Sequence, residues 1–154
     1  MESDPTYLID TVIGEGSFGA VNLATDRRDG RRVALKRLYG NVAPHRVVNE
    51  IEQLTAASEG AGHLVPELMD AHHSPLGGFV IVMEYFEHDD WKSYYNKLSW
   101  QQLQLYMQQL MSALAHVHSR GVIHRDIKPR NFLFNLRSGQ GCLVDFGLAQ
   151  SCQL

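Results

Sequence analysis

Residues 7–24 read Tyr7-Leu8-Ile9-Asp10-Thr11-Val12-Ile13, then Gly14-Glu15-Gly16-Ser17-Phe18-Gly19, then Ala20-Val21-Asn22-Leu23-Ala24. The outer segments carry aromatic and β-branched residues and read as strands. The G-x-G-x-x-G spacing between them also occurs in dinucleotide-binding folds, where it opens a helix. Here an extended segment follows it, so that reading fails on context. Glycine lets a backbone approach phosphates closely, because a Cβ would obstruct the approach and forbid positive φ. Asp29-Gly30 then turns the chain into Arg32-Val33-Ala34-Leu35-Lys36-Arg37, which makes three antiparallel strands.

Beyond them the period changes. Val47, Ile51 and Leu54 fall at i, i+4 and i+7, a helical apolar stripe over 44–54 with Pro44 in the first turn. Ser58-Glu59-Gly60-Ala61-Gly62 ends it, and two short strands follow at Leu68–His72 and Phe79–Glu84, joined across 74–78. Ser99-Trp100-Gln101-Gln102 is a capping box. Leu103, Met107, Leu110, Leu114 and Val117 then repeat at 4-3-4-3 spacing up to Gly121, a helix stop, and this stripe is expected to be core. Phe132-Leu133-Phe134 and Cys142-Leu143-Val144 read as strands flanking the turn 138–141. The pattern is α+β: five strands and one helix ending near Tyr85-Phe86, then a mainly helical block.

Composition narrows the function classes. The 154 residues are 44% hydrophobic and 20% charged, close to the globular average, which excludes wholesale disorder. Fourteen Lys+Arg against 17 Asp+Glu give a net charge of −3, so no basic excess points to nucleic acid or an anionic membrane as a direct partner. The longest apolar run, Phe79 to Met83, is far shorter than the ~20 residues that span a bilayer. Met1-Glu2-Ser3-Asp4-Pro5 lacks the features of a signal peptide. Cys142 and Cys152 form no disulfide framework, which suits a reducing intracellular compartment.

Three further signals follow the glycines in order: Val33-Ala34-Leu35-Lys36 on a strand, His124-Arg125-Asp126-Ile127-Lys128-Pro129-Arg130-Asn131, and Asp145-Phe146-Gly147 after an apolar strand. Each has an ordinary reading: surface lysine, turn aspartate, capping asparagine, Asx turn. Together they resemble the protein-kinase signature set, over about Tyr7 to Gln150. The resemblance implies a two-lobed fold with ATP between the lobes, residues 1–86 forming the N-lobe and hinge and 87–154 an incomplete C-lobe. It also implies a serine/threonine protein kinase using ATP and Mg²⁺. Phosphoryl transfer spreads charge over the γ-phosphoryl oxygens, so catalysis is largely positioning and charge neutralisation. By resemblance, Lys36 holds the phosphates and pairs with Glu50, with Glu52 the fallback. Asp126 takes or orients the hydroxyl proton, Lys128 stands near the γ-phosphate, and Asn131 and Asp145 hold the metal. Gly14, Glu15, Gly16, Ser17, Phe18 and Gly19 cover the phosphates. Val21 and Ala34 form the adenine roof and Leu133 the floor, with Met83 as gatekeeper and Glu84-Tyr85-Phe86 as hinge. Leu54, His124 and Phe146 match the hydrophobic spine. Lys36, Asn131 and Asp145 are expected to converge on one magnesium-bound triphosphate.

The match narrows further. Asn131-Phe132-Leu133-Phe134, Gly139-x-Gly141, Leu143 to Gln150 and Tyr85-Phe86-Glu87-His88-Asp89-Asp90-Trp91 resemble the cell division cycle seven kinase family. Casein kinase one shares the Asn-Phe-Leu variation and is the alternative. The resemblance implies initiation of DNA replication and cell-cycle control, an activating regulatory subunit, replicative helicase subunits as protein substrates and a nuclear location. Only seven residues follow Gly147, without the completed activation segment the family carries. The expectation is that the kinase is recorded in part, and that this chain alone is partly unfolded or aggregation-prone. The alternative is a truncated, non-catalytic nucleotide- or partner-binding fragment. His63 and His72-His73 lack metal-ligand spacing and read as surface. Arg27 to Arg32 reads as a solvated hairpin tip, and Cys142 as a core thiol.

Overall fold

A computed structural model describes residues 4–75 and 77–153; residues 1–3 of the segment read for a targeting signal, and Leu76 of the turn 74–78, lie outside it. The chain divides into two compact units. One runs to Val47 and resumes over Leu68–Tyr85; the other comprises Val48–Glu67 and the chain from Phe86 onward.

The first unit is a five-stranded antiparallel sheet. Strands β1 (Tyr7–Glu15), β2 (Gly19–Asp26), β3 (Arg32–Leu38), β4 (Leu68–His73) and β5 (Phe79–Glu84) lie in the order β1-β2-β3-β5-β4. Period-2 alternation gives the sheet two faces. Ala24, Val33, Leu35, Val80 and Val82 pack with Tyr7 as one core cluster. Tyr7 is held by a polar rim: its hydroxyl donates to Asp70 Oδ2 at 3.1 Å and accepts from Arg28 at 3.2 Å. Arg28 in turn pairs with Asp26, whose carboxyl those hydrogen bonds hold below the usual carboxylate range. At the tip, Gly30 has φ +75, and its amide donates to Asp26 O. Both edge strands are interrupted by bulges, in β1 between Ile9 and Thr11 and in β4 between Leu68 and Asp70. Such bulges blunt an exposed edge.

Helix α1 (Pro44–Ser58) runs four residues past the apolar stripe that signalled it, and its Val48–Ser58 portion belongs to the second unit. That unit adds α2 (Trp91–Tyr94), α3 (Trp100–Ser119), and short strands β6 (Val122–Ile123), β7 (Phe132–Asn135), β8 (Gln140–Leu143) and β9 (Gln150–Ser151). β6 pairs with β9 and β7 with β8. The capping box at Ser99 and Gln102 forms as read, both hydrogen bonds being present.

The expected stripe of α3 packs in its second half only: Leu103 and Met107 are exposed, Leu110 and Leu114 half-buried, and Val117, with Ala113 beside it, fully buried. In the first half other residues make the contacts. Tyr106 packs edge-on against Phe132 and Phe134, with centroids 5.0 and 5.2 Å away. Gln109 accepts from Gly141 N at 3.1 Å and bonds His63 at 2.8 Å. The hairpin β7–β8 thus meets a face of mixed chemistry, aromatic packing and an acceptor for a backbone donor. Among the described residues, no helix is long and apolar enough to cross a membrane.

Candidate active site

In the sheet unit, register assembles the expected nucleotide-binding residues. Val21 stands opposite Lys36, Leu23 opposite Ala34 and Ala34 opposite Met83. Directly opposed residues of antiparallel strands share a face, so Val21, Ala34, Lys36 and Met83 lie on one side of the sheet. Lys36 is only 9% exposed. Glu84 ends β5 with its side chain exposed, and Tyr85, just beyond, is covered by the Arg32 guanidinium 4.9 Å from its ring centroid.

The glycine segment forms a tight connection: Gly14 pairs with Val21, Glu15 with Ala20, and Gly16 N donates to Gly19 O at 2.9 Å. Glu15, Ser17 and Phe18 are exposed, and the Arg46 guanidinium lies 5.4 Å from the Phe18 ring centroid. The three glycines have different reasons. A Cβ on Gly19 would fall 2.0 Å from Arg37 O, so this glycine is dictated by the β3 backbone beside it. A Cβ on Gly16 would meet nothing within 4 Å, so no neighbour in the chain calls for this glycine. None of Gly14, Gly16 and Gly19 has positive φ, which corrects the expectation that conformational freedom is part of their use.

In the second unit the residues expected to form a catalytic loop come together. Asn131 Nδ2 donates to Asp126 O at 2.9 Å and to Asp126 Oδ2 at 3.0 Å, while Lys128 Nζ lies 3.6 Å from Asp126 Oδ1. Asn131 is 3% exposed and ends a 3₁₀ turn, Pro129–Asn131. His124, 1% exposed, organises the loop: Asp126 N donates to its Nδ1 at 3.1 Å, which makes Nδ1 the acceptor and lets Nε2 donate to Val144 O at 2.8 Å. Val144 N donates to Asn131 O, bringing Asp145 one residue from a direct backbone bond with the loop.

Asp145 has φ +64 and Arg125 φ +69, left-handed conformations uncommon outside glycine. Asp145 is supported by Gly147 N, which donates to its Oδ1 at 3.1 Å. Arg125 is supported by its own side chain, whose Nε donates to Leu148 O at 2.8 Å. A Cβ at Gly147 would lie 3.1 Å from Asp145 Oδ1 and 3.4 Å from Glu50 Oε2, so glycine there leaves both carboxylates room. Glu50 is buried and Glu52 exposed. Leu54, His124 and Phe146 are all buried, the last two stacked edge-on at 4.9 Å. Leu133 is half-buried on β7 opposite Cys142.

The segment after Tyr85 is laid against β7. Asp89 N donates to Phe134 O, Asn135 Nδ2 donates to Glu87 O, and Asp89 Oδ2 accepts from Leu136 N at 2.8 Å. Phe86, half-buried, accepts from His88 Nδ1 at 2.8 Å through its carbonyl. Sequence reasoning missed Asn49, Gln53 and Arg125 as residues that bind the segment after Asp145-Phe146-Gly147; polar residues inside a helical pattern, like an arginine in a loop, carry no sequence signal of what they contact.

The Protein kinase domain family matches residues 7–154, and the chain belongs to that family. Within it, the likeness to the cell division cycle seven kinases holds. The cell cycle serine/threonine-protein kinase hsk1 of Schizosaccharomyces pombe is 36% identical over 141 residues, covering 90% of this chain and 27% of that protein. The probable cell division control protein 7 homolog 2 of Encephalitozoon cuniculi is 39% identical over 146 residues, covering 95% and 41%. The cell division cycle 7-related protein kinase of Homo sapiens is 37% identical over 147 residues, covering 94% and 25%. The chain thus spans between a quarter and about two-fifths of the length of these relatives.

Proposed function

We propose that this chain carries the nucleotide-handling and catalytic-loop part of an ATP-dependent serine/threonine protein kinase of the cell division cycle seven type. The observation that carries this reading is the Asp126 cluster: a carboxylate fixed by the Asn131 amide and flanked by the Lys128 ammonium, with the Asn131 carbonyl accepting from Val144 N, the residue before Asp145, which has a left-handed conformation. A carboxylate so placed accepts the proton of an incoming serine or threonine hydroxyl as its oxygen attacks the γ-phosphorus and the bond to ADP breaks. Lys128 offers a point charge to the transferred phosphoryl group, and Lys36 one to the α- and β-phosphates, with Glu50 in the role of the acidic residue the family sets against that lysine. Exposed backbone at Gly16 suits the phosphate cover.

The donor set fits magnesium. With Asn131 Nδ2 turned to Asp126, its Oδ1 is left as a ligand, and Asp145 supplies a carboxylate. Among the described residues no cluster of three or more His, Cys, Asp or Glu could hold a metal by itself. Magnesium takes one or two protein oxygens and completes its shell with phosphate and water, and Asn131 and Asp145 would supply those oxygens. Magnesium held there supplies neutralisation of the phosphate charge. By the family reading, protein substrates include replicative helicase subunits, a regulatory subunit activates the kinase, and the protein works in the nucleus in replication initiation.

The test is phosphate transfer from ATP to a serine/threonine protein substrate by the full-length protein, wild type against Asp126→Asn. Loss of a positioned general base lowers kcat by about 10²–10⁴. Activity unchanged by the substitution refutes the assignment.

A further inference from the structure

Helix α1 is held within the second unit at two places, and the two differ in kind. At its C-terminus, α3 caps it: His116 Nε2 donates to Ala57 O at 3.0 Å, Arg120 Nε donates to Ala56 O at 3.2 Å, and Arg120 also pairs with Glu59. Side-chain N–H donors on the last carbonyls are an ordinary helix stop. The second attachment is in mid-helix. Asn49 Nδ2 donates to Ala149 O at 2.9 Å, and Gln53 Nε2 donates to Ser151 Oγ at 2.9 Å and to Asn49 Oδ1 at 3.4 Å. Asn49 and Gln53 are i and i+4, so they form one row on the helix surface. Glu50 directly follows the first of them. Their target, Ala149–Ser151, lies two residues beyond Gly147 and includes β9, which pairs with β6 just before His124. Arg125 grips the same segment from the catalytic loop, through Leu148 O and the Gln150 side chain.

Stability does not account for the glutamine. Gln53 is 5% exposed, and its Oε1 is buried with no hydrogen-bond partner among the described residues. A buried acceptor left unpaired is destabilising, and an apolar side chain of similar size would avoid it. What the glutamine supplies, and an apolar side chain would not, is an Nε2 donor shared between Ser151 Oγ and Asn49 Oδ1. We propose that Asn49 and Gln53 are positioning residues that fix Glu50 relative to Asp145 by latching α1 to the segment after Asp145-Phe146-Gly147, with Ser151 as the receiving hydroxyl. The proposal rests on the kinase reading, in which Glu50 must be in place for the phosphates to be held. The latch links the helix that carries Glu50 to the same segment that Arg125 ties to the catalytic loop.

The experiment compares Gln53→Met, Ser151→Ala and the double variant in the full-length protein. It reads kcat, KM for ATP, thermal unfolding, and amide hydrogen exchange of 48–54 and 149–152. The expected result is a fall in kcat of about fivefold for either single variant, the equivalent of one net hydrogen bond, with no further fall in the double variant. The melting temperature of Gln53→Met stays level, since removal of the orphaned oxygen offsets the lost Nε2 bonds, and exchange quickens in both segments together. A residue with a merely structural role would lower kcat only in proportion to folded protein. Ser151 is exposed, so Ser151→Ala leaves the fold intact even where Gln53→Met does not. Multiplying effects in the double variant, unchanged kcat in both singles, or exchange that quickens in one segment alone overturns the latch. Wild-type protein that transfers no phosphate refutes the kinase reading instead, and the exchange measurement then still decides whether α1 and 149–152 move as one.

Discussion

The two units position their chemistry by different means. In the sheet unit, Val21, Ala34, Lys36 and Met83 reach one face because three strands pair in register. Their placement follows from the ladder and survives changes of neighbouring side chains. In the second unit, Asp126 and Asp145 stand on irregular backbone and Asn131 ends a 3₁₀ turn, between strands of two to four residues. Two non-glycine residues there have positive φ, and the loop is knit by side chains such as His124 and Asn131. The candidate residues of the sheet unit are therefore sensitive to backbone crowding, and those of the second unit to the identity of single side chains.

The largest effect that tests this contrast is at Asp145. Asparagine tolerates the left-handed conformation and keeps an acceptor for Gly147 N, but loses the charge. Asp145→Asn should leave the melting temperature unchanged and lower kcat by at least about a hundredfold, by the worth of a metal-ligand charge in the transition state. Asp145→Ala should lose activity and stability together, because alanine is strained at that φ. A large drop in the melting temperature of Asp145→Asn would show that the loop is held by its charge and not by its conformation.

Next come the glycines of the sheet unit. Gly19→Ala sets a Cβ against the Arg37 carbonyl and should cost about 1–3 kcal/mol of stability, read by thermal or denaturant unfolding. Gly16→Ala meets no atom of the chain, so it should leave unfolding unchanged and raise KM for ATP several-fold, an order of magnitude set by one obstructed phosphate contact. Equal effects of the two on stability would remove the distinction between a packing glycine and a ligand-facing one.

The smallest effect is in pH dependence. Burial, then the hydrogen bond to Asp70, pushes the Tyr7 hydroxyl up from 10 to about 12. Between those values the unfolded chain has released a proton that the folded sheet retains, so stability falls as pH rises from about 10 to 12. Tyr7→Phe should flatten that part of the alkaline unfolding curve. An unchanged slope would mean that the polar rim of the sheet does not control its titration. Tyr94, raised mainly by burial in the second unit, should still contribute at still higher pH.

Much of the fold was legible because its signals are local. The glycine hairpin, the Asp29-Gly30 turn, the first helix and the Ser99 capping box each reflect contacts within a few residues. So did the choice of candidate residues, since each motif confines its chemistry to a short segment. The packed face in the first half of α3 was not legible, because Tyr106 and Gln109 meet Phe132, Phe134 and Gly141, which come later in the chain. The same holds for Gly19, whose reason is a carbonyl on the neighbouring strand.

From sequence alone came the order of the elements, the candidate residues for phosphate and metal, and the family whose motifs they match, because turn chemistry, side-chain period and functional-group identity are written along the chain. Tertiary structure alone decided that Glu50 and not Glu52 is buried, that Asn131 turns its amide nitrogen to Asp126, and that α1 is tied to Ser151. Those outcomes depend on which buried polar groups find partners, and that is settled only when distant segments are brought within hydrogen-bond reach.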